Sequence, residues 1–254
     1  MTTQIRYGTR PFAPDLALGA CGQLLLLALL GWTAGLGPLG WVAGGVYAAA
    51  TSALLTLALR RSWTGPFGPA NRVTLTRAVL VGGVTALVAD SFGGRPPLAI
   101  LTGLATVALL LDAADGQVAR RTGTASALGA RFDMEVDAVL LLVLSAHVAG
   151  SVGGWALSIG VMRYAFVAAS WVLPWLRGAL PPRFARKTVA ALQGIVLVVA
   201  GAGVLPRPAA GTAVAVALGL LVWSFGRDVA WLWRAGASGR SPSEVDRGYG
   251  TPSS

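Results

Sequence analysis

Eight runs of apolar residues, near 16–34, 39–59, 73–89, 97–116, 133–150, 152–173, 188–204 and 209–226, dominate this sequence of 254 residues. A hydrocarbon layer about 30 Å thick takes roughly 20 such residues as a helix. Inside it every backbone amide must be paired, within a helix or around a closed barrel. The runs are continuously apolar, whereas membrane strands would alternate over about ten residues, so the pattern selects helices. With 55% hydrophobic residues, 12% charged residues and a mean hydropathy of +0.67, the composition lies outside that of ordinary soluble domains. The expectation is an all-α polytopic membrane protein of about eight helices. Glycines such as Gly40, Gly44 and Gly45 are expected to let helix backbones approach closely where no hydrophobic effect drives them together.

The first residues include Pro11, Pro14 and Asp15 and no cleavage site follows, so the first apolar run is read as a retained helix and not as a signal peptide. A single cysteine, Cys21, excludes an intramolecular disulfide and a thiolate metal cluster. The single histidine, His147, sits in an apolar run and is read as packed or hydrogen-bonded.

A net charge of +10 invites a nucleic-acid reading until the charges are mapped onto the loops. With eight spans, seventeen of the Lys and Arg residues fall on one side, Arg95 and Arg207 fall on the other, and Arg163 lies within a span. That asymmetry is the positive-inside pattern, which puts both termini on the cytoplasmic side of a multi-pass plasma-membrane protein. The basic surface then faces anionic lipid headgroups, and no nucleic-acid partner is expected. Residues 238–254, rich in Ser, Gly and Pro, are expected to form a disordered cytoplasmic tail.

The densest charge lies in LLDAADGQVARRTGTASALGARFDMEVDAVLLL, residues 110–142, between two aliphatic runs. Asp112 and Asp115 are three residues apart and fall on one helical face, roughly 60° from each other; Asp133 and Asp137, four apart, share a face in the same way, and Glu135 points elsewhere. Four carboxylates at full membrane depth would cost on the order of 10 kcal/mol, less at the interface, so something cationic must offset them. Arg120, Arg121 and Arg131 could do so as a salt-bridge network, although interfacial pairs of that kind are worth little. Oxygen ligands without Cys or His suit hard cations, and four carboxylates can hold two divalent ions, Mg²⁺ or Mn²⁺, in the arrangement used for phosphoryl displacement. Gly116 leaves room beside the helix backbone, Ala119 is small, and Arg120 offers a charge to a phosphate.

The pattern Asp112-x-x-Asp115-Gly116-x-x-Ala119-Arg120, then Gly129-x-x-x-Asp133-x-x-x-Asp137, resembles the complete signature of the CDP-alcohol phosphotransferase family. Upstream, Asn71, Thr74 and Arg77 resemble the N-x-x-T-x-x-R that opens that family's first core helix, with Ala70 where many members have Pro. The resemblance implies a six-helix core over residues 69–234, preceded by a cytoplasmic segment at 1–15 and two extra transmembrane helices within 16–62. It implies that Asp112, Asp115, Asp133 and Asp137 bind two divalent cations and that Asp137 is also the base for the acceptor hydroxyl. Asn71, Thr74, Arg77, Gly116, Ala119, Arg120 and Gly129 would border the CDP moiety. Arg163, Arg186 and Lys187 would hold an anionic acceptor. The implied reaction takes CDP-diacylglycerol and a polar alcohol to a phosphodiester lipid and CMP, in a homodimer. Two alternatives stand beside it: a soluble CDP-alcohol donor with a lipid acceptor, and, from another class, an ion or proton transporter. A transporter would scatter its acids through several spans, whereas this chain gathers them at one depth.

Overall fold

The computed structural model describes residues 13–62, 69–94, 97–122, 127–178 and 184–237. They form eight α-helices: α1 (Ala13–Ala34), α2 (Pro38–Ser62), α3 (Pro69–Asp90), α4 (Leu98–Thr122), α5 (Ala127–Val152), α6 (Leu157–Val172), α7 (Phe184–Gly201) and α8 (Arg207–Ala237). Short 3₁₀ turns occupy Gly154–Ala156 and Pro174–Arg177, and no strand occurs among the described residues. The expected tail at 238–254 lies outside them, as do the expected 1–15 segment up to residue 12 and the centre of the polar turn between α4 and α5.

Eight helices stand where eight apolar runs were expected. Among the described residues six of them are long and apolar enough to cross a membrane, and α4 and α7 contribute the apolar stretches Leu98–Ala114 and Thr188–Gly201. The chain is a multi-pass membrane protein.

It divides within α5 into two compact units, residues 1–143 and 144–254. In the first, α3 packs against α1, α2 and α4. Of its apolar span, 56% is buried, against 17% for α1 and for α2. Leu24, Leu25, Leu29 and Trp32 of α1 are exposed. The α1–α2 turn uses Gly35 at φ +67°, a left-handed conformation costly for other residues, and Pro38 opens α2 at the first helical position. Small residues bring α2 onto α3: a Cβ on Gly40 would lie 3.0 Å from the Ala86 carbonyl oxygen, and one on Gly44 3.2 Å from the Ala86 Cβ. Gly45 has open space around it, so the packing role expected of all three glycines holds at two.

In the second unit α7 packs on α8, and the buried Gln193 donates its side-chain N–H to the Ala217 carbonyl at 2.8 Å. The His147 Nε2 lies 3.1 Å from the Gly201 carbonyl, the hydrogen-bonded state expected for a lone histidine in an apolar helix. The rings of Phe166 and Phe225 meet edge to face at 5.6 Å.

Candidate metal and nucleotide site

The site is built on three helices of the first unit. On α3, Thr74 and Arg77 are three residues apart, one turn of a helix whose next residues, Ala78 and Val81, are buried and apolar. On α4, the helix runs through Asp112, Asp115, Gly116, Ala119 and Arg120 without a break to Thr122. On α5, it starts at Ala127 and carries Gly129, Asp133 and Asp137. The spacings read from the sequence are therefore true helical spacings: each pair of aspartates sits on one face of its helix.

Tertiary packing then joins the three helices through one side chain. The Arg77 guanidinium pairs through Nη1 with the Asp112 Oδ1 and through Nη2 with the Asp133 Oδ1, the latter at 2.7 Å. Its Nη2 also donates to the Asp133 main-chain carbonyl at 2.9 Å. Arg77 is fully buried, whereas the side chains of Asp112 and Asp133 are 39% and 37% exposed. The cation thus approaches the two acids from inside the protein, and their other sides stay open. Burying a guanidinium without partners would cost several kcal/mol, and two carboxylates plus a carbonyl offset that cost.

Some expected site residues come together here and others do not. Asp112, Asp133 and Arg77 are in direct contact. Asp137 is half-buried one turn beyond Asp133, Gly129 is half-buried one turn before it, and Glu135 is exposed, turned away as its spacing required. Thr74 is buried. Asn71, Asp115, Gly116, Ala119 and Arg120 lie on their helices as expected, but their side chains are outside the described residues, and so are those of Arg186 and Lys187 in the first turn of α7. Arg163 is a half-buried residue of α6, in the second unit. Among the described residues the cation that meets the acids is Arg77 and not the nearby Arg131, which is exposed.

The donor set suits a hard divalent cation. Asp112 and Asp133 supply carboxylate oxygens on their open sides, with Asp137 following on the same face of α5 as Asp133. Among the described residues no three His, Cys, Asp or Glu side chains converge, and Asp115 falls outside that set.

Two features escaped the sequence reading. Asp228, near the end of α8, is only 7% exposed; it is an acid inside an apolar helix, and that alone could have flagged it. Beside it Arg227 lies over the Trp223 ring, 4.6 Å from its centroid. Arg77 was expected beside the nucleotide, and only its contacts reveal the acids as its partners.

A family model described as CDP-alcohol phosphatidyltransferase matches residues 67–224, more than half of the chain, from just before α3 into α8. The helices α1 and α2 lie ahead of the matched segment. No match was found among curated proteins or among solved structures.

Proposed function

The chain belongs to the CDP-alcohol phosphatidyltransferase family, a family of transferases, and from that premise we propose that it moves a phosphatidyl group from CDP-diacylglycerol to the hydroxyl of a polar alcohol. The new bond joins the acceptor oxygen to the β-phosphorus of the donor, the bond from that phosphorus to the CMP oxygen breaks, and CMP leaves. Two divalent cations, Mg²⁺ or Mn²⁺, held by Asp112, Asp115, Asp133 and Asp137, would supply charge stabilisation on the transferred group and on the leaving CMP.

The remaining roles belong to the chain itself. Asp137 takes the proton of the acceptor hydroxyl, a task suited to a half-buried carboxylate one helical turn from Asp133. Arg120 faces a phosphate of the donor, where a fixed cation is worth most when water is excluded. Asn71, Thr74, Gly116, Ala119 and Gly129 border the cytidine and the pyrophosphate. Arg163, Arg186 and Lys187 hold an acceptor that carries its own negative charge. The basic face is cytoplasmic, the membrane is the plasma membrane, and the working unit is a homodimer.

The observation that carries this reading is the pairing of Asp112 from α4 with Asp133 from α5 about one guanidinium, with more than a third of each side chain left open. Purified protein in detergent with Mg²⁺ or Mn²⁺ and radiolabelled CDP-diacylglycerol, screened against a panel of alcohols and alcohol phosphates, should release CMP with one class of acceptor. Release from a soluble CDP-alcohol plus a lipid acceptor, and not from CDP-diacylglycerol, would reverse the donor assignment. The Asp137→Asn variant should retain its fold and lose turnover by at least about a hundredfold; retained turnover would remove Asp137 from the base role.

A further inference from the structure

An arginine that binds a nucleotide must present its nitrogens to the cavity. Arg77 does not: it is fully buried, and both terminal nitrogens of its guanidinium are engaged by Asp112 and by the carboxylate and carbonyl of Asp133. Nor does it reach the surface as an interfacial anchor would: Arg72, earlier on α3, is exposed, whereas Arg77 lies beside Thr74, Ala78 and Val81, all buried. Its two acids come from different helices, so one side chain of α3 fixes α4 and α5 at the height of the carboxylates.

We propose that Arg77 is a positioning residue for the metal ligands: its planar fork clamps Asp112 and Asp133 from the buried side and holds their open oxygens in the arrangement that meets a divalent cation. The inference rests on the metal-binding role given to these acids above. Two facing carboxylates repel each other, and without a cation between them their lowest-energy arrangement is splayed. A guanidinium behind them offsets the repulsion while leaving the open side available, and a flat fork with donors at fixed angles sets direction as well as charge. Its positive charge also opposes the incoming cation, so orientation and charge pull the affinity in opposite directions. Orientation is expected to win, because both acids are more than a third exposed on their open sides, where solvent screens the charge, whereas no water substitutes for the fork.

The test measures Mn²⁺ binding to EDTA-washed, nucleotide-free protein by electron paramagnetic resonance, in wild type, Arg77→Lys and Arg77→Gln. Partners of this kind commonly change metal affinity by about 10- to 100-fold when removed. Both variants should bind Mn²⁺ at least about tenfold more weakly, since Lys keeps the charge but cannot bridge two acids, and CMP inhibition at saturating metal should stay within about threefold of wild type. Tighter binding in Arg77→Gln with Arg77→Lys unchanged would show that charge alone matters and would overturn the proposal. Unchanged Mn²⁺ binding with weakened CMP inhibition would return Arg77 to the nucleotide.

A second measurement addresses the clamp without any metal. In EDTA, Asp112→Asn should lower the melting temperature when Arg77 is present and raise it in an Arg77→Met background, where it removes repulsion; additive shifts would overturn the clamp even if the single variants fold poorly. Failure of the metal reading itself has a separate signature. Asp112→Asn would then leave Mn²⁺ binding at the wild-type level whatever residue stands at 77.

Discussion

Helices α1 and α3 have the same length, 22 residues, and nearly opposite surroundings. The span in α1 has a mean hydropathy of 1.8 and is 17% buried; that in α3 is less apolar, at 1.5, and 56% buried. In a water-soluble protein the order would be reversed, since burial there follows hydropathy. In a bilayer the lipid tails already accommodate Leu and Trp, so the interior goes to helices that offer close backbone approach or polar partners. Helix α3 offers both, through Gly82 and Gly83 against the Gln23 and Leu26 side chains of α1 and through Thr74 and Arg77. It is also the helix that reaches the acids.

The largest expected effect that could break this comparison is a matched pair of truncations. Leu87→Ala on α3, where the side chain is 2% exposed, should cost about 2–4 kcal/mol through lost packing and a residual cavity. Leu25→Ala on α1, 70% exposed, should change stability by less than about 0.5 kcal/mol. Thermal denaturation in detergent or bicelles compares the two, and equal losses would mean that α1 is as enclosed as α3. A smaller effect is expected where α2 meets α3. Gly40→Leu pushes a side chain towards the Ala86 carbonyl and should cost about 1–3 kcal/mol by overpacking, while Gly45→Leu, with open space around it, should be close to neutral.

The smallest effect sharpens the comparison from the other side. Gln23 is the buried polar residue of α1, and its amide nitrogen has no hydrogen-bond partner among the described residues. It lines a cavity of about 30 Å³ between α1, α2 and α3, with Thr51 and Ser52 opposite. Gln23→Leu should leave the melting temperature unchanged or raise it by an amount worth up to about 1 kcal/mol, since an unsatisfied buried donor is removed. A clear loss of stability would mean that a water in this cavity satisfies the amide.

The positions of the helices were legible because hydropathy reports the bilayer directly, and the largest discrepancies have a common cause. The apolar runs near 97–116 and 209–226 continue as helix to Thr122 and Ala237, and α5 begins at Ala127, ahead of the run at 133. Helical hydrogen bonding does not stop where the hydrocarbon does; it continues until a breaker intervenes, as Gly153 at φ +119° does between α5 and α6. His147 was legible for a simple reason: a lone imidazole in an apolar helix must find a partner, and the Gly201 carbonyl is one. The partners of Arg77 were not legible, since nothing in an arginine's own neighbourhood says which acids, 35 and 56 residues further on, will be packed against it.

By itself the sequence determined the helices, the faces on which the four aspartates stand and the family signature, because a rotation of 100° and a rise of 1.5 Å per residue convert spacing into geometry without reference to anything else. Only the tertiary structure decided that α3 is the enclosed helix of the first unit and that its arginine stands behind Asp112 and Asp133. In lipid many pairings of apolar helices have nearly equal energy, and the choice among them falls to a few small and polar side chains whose contacts exist only once the helices have met.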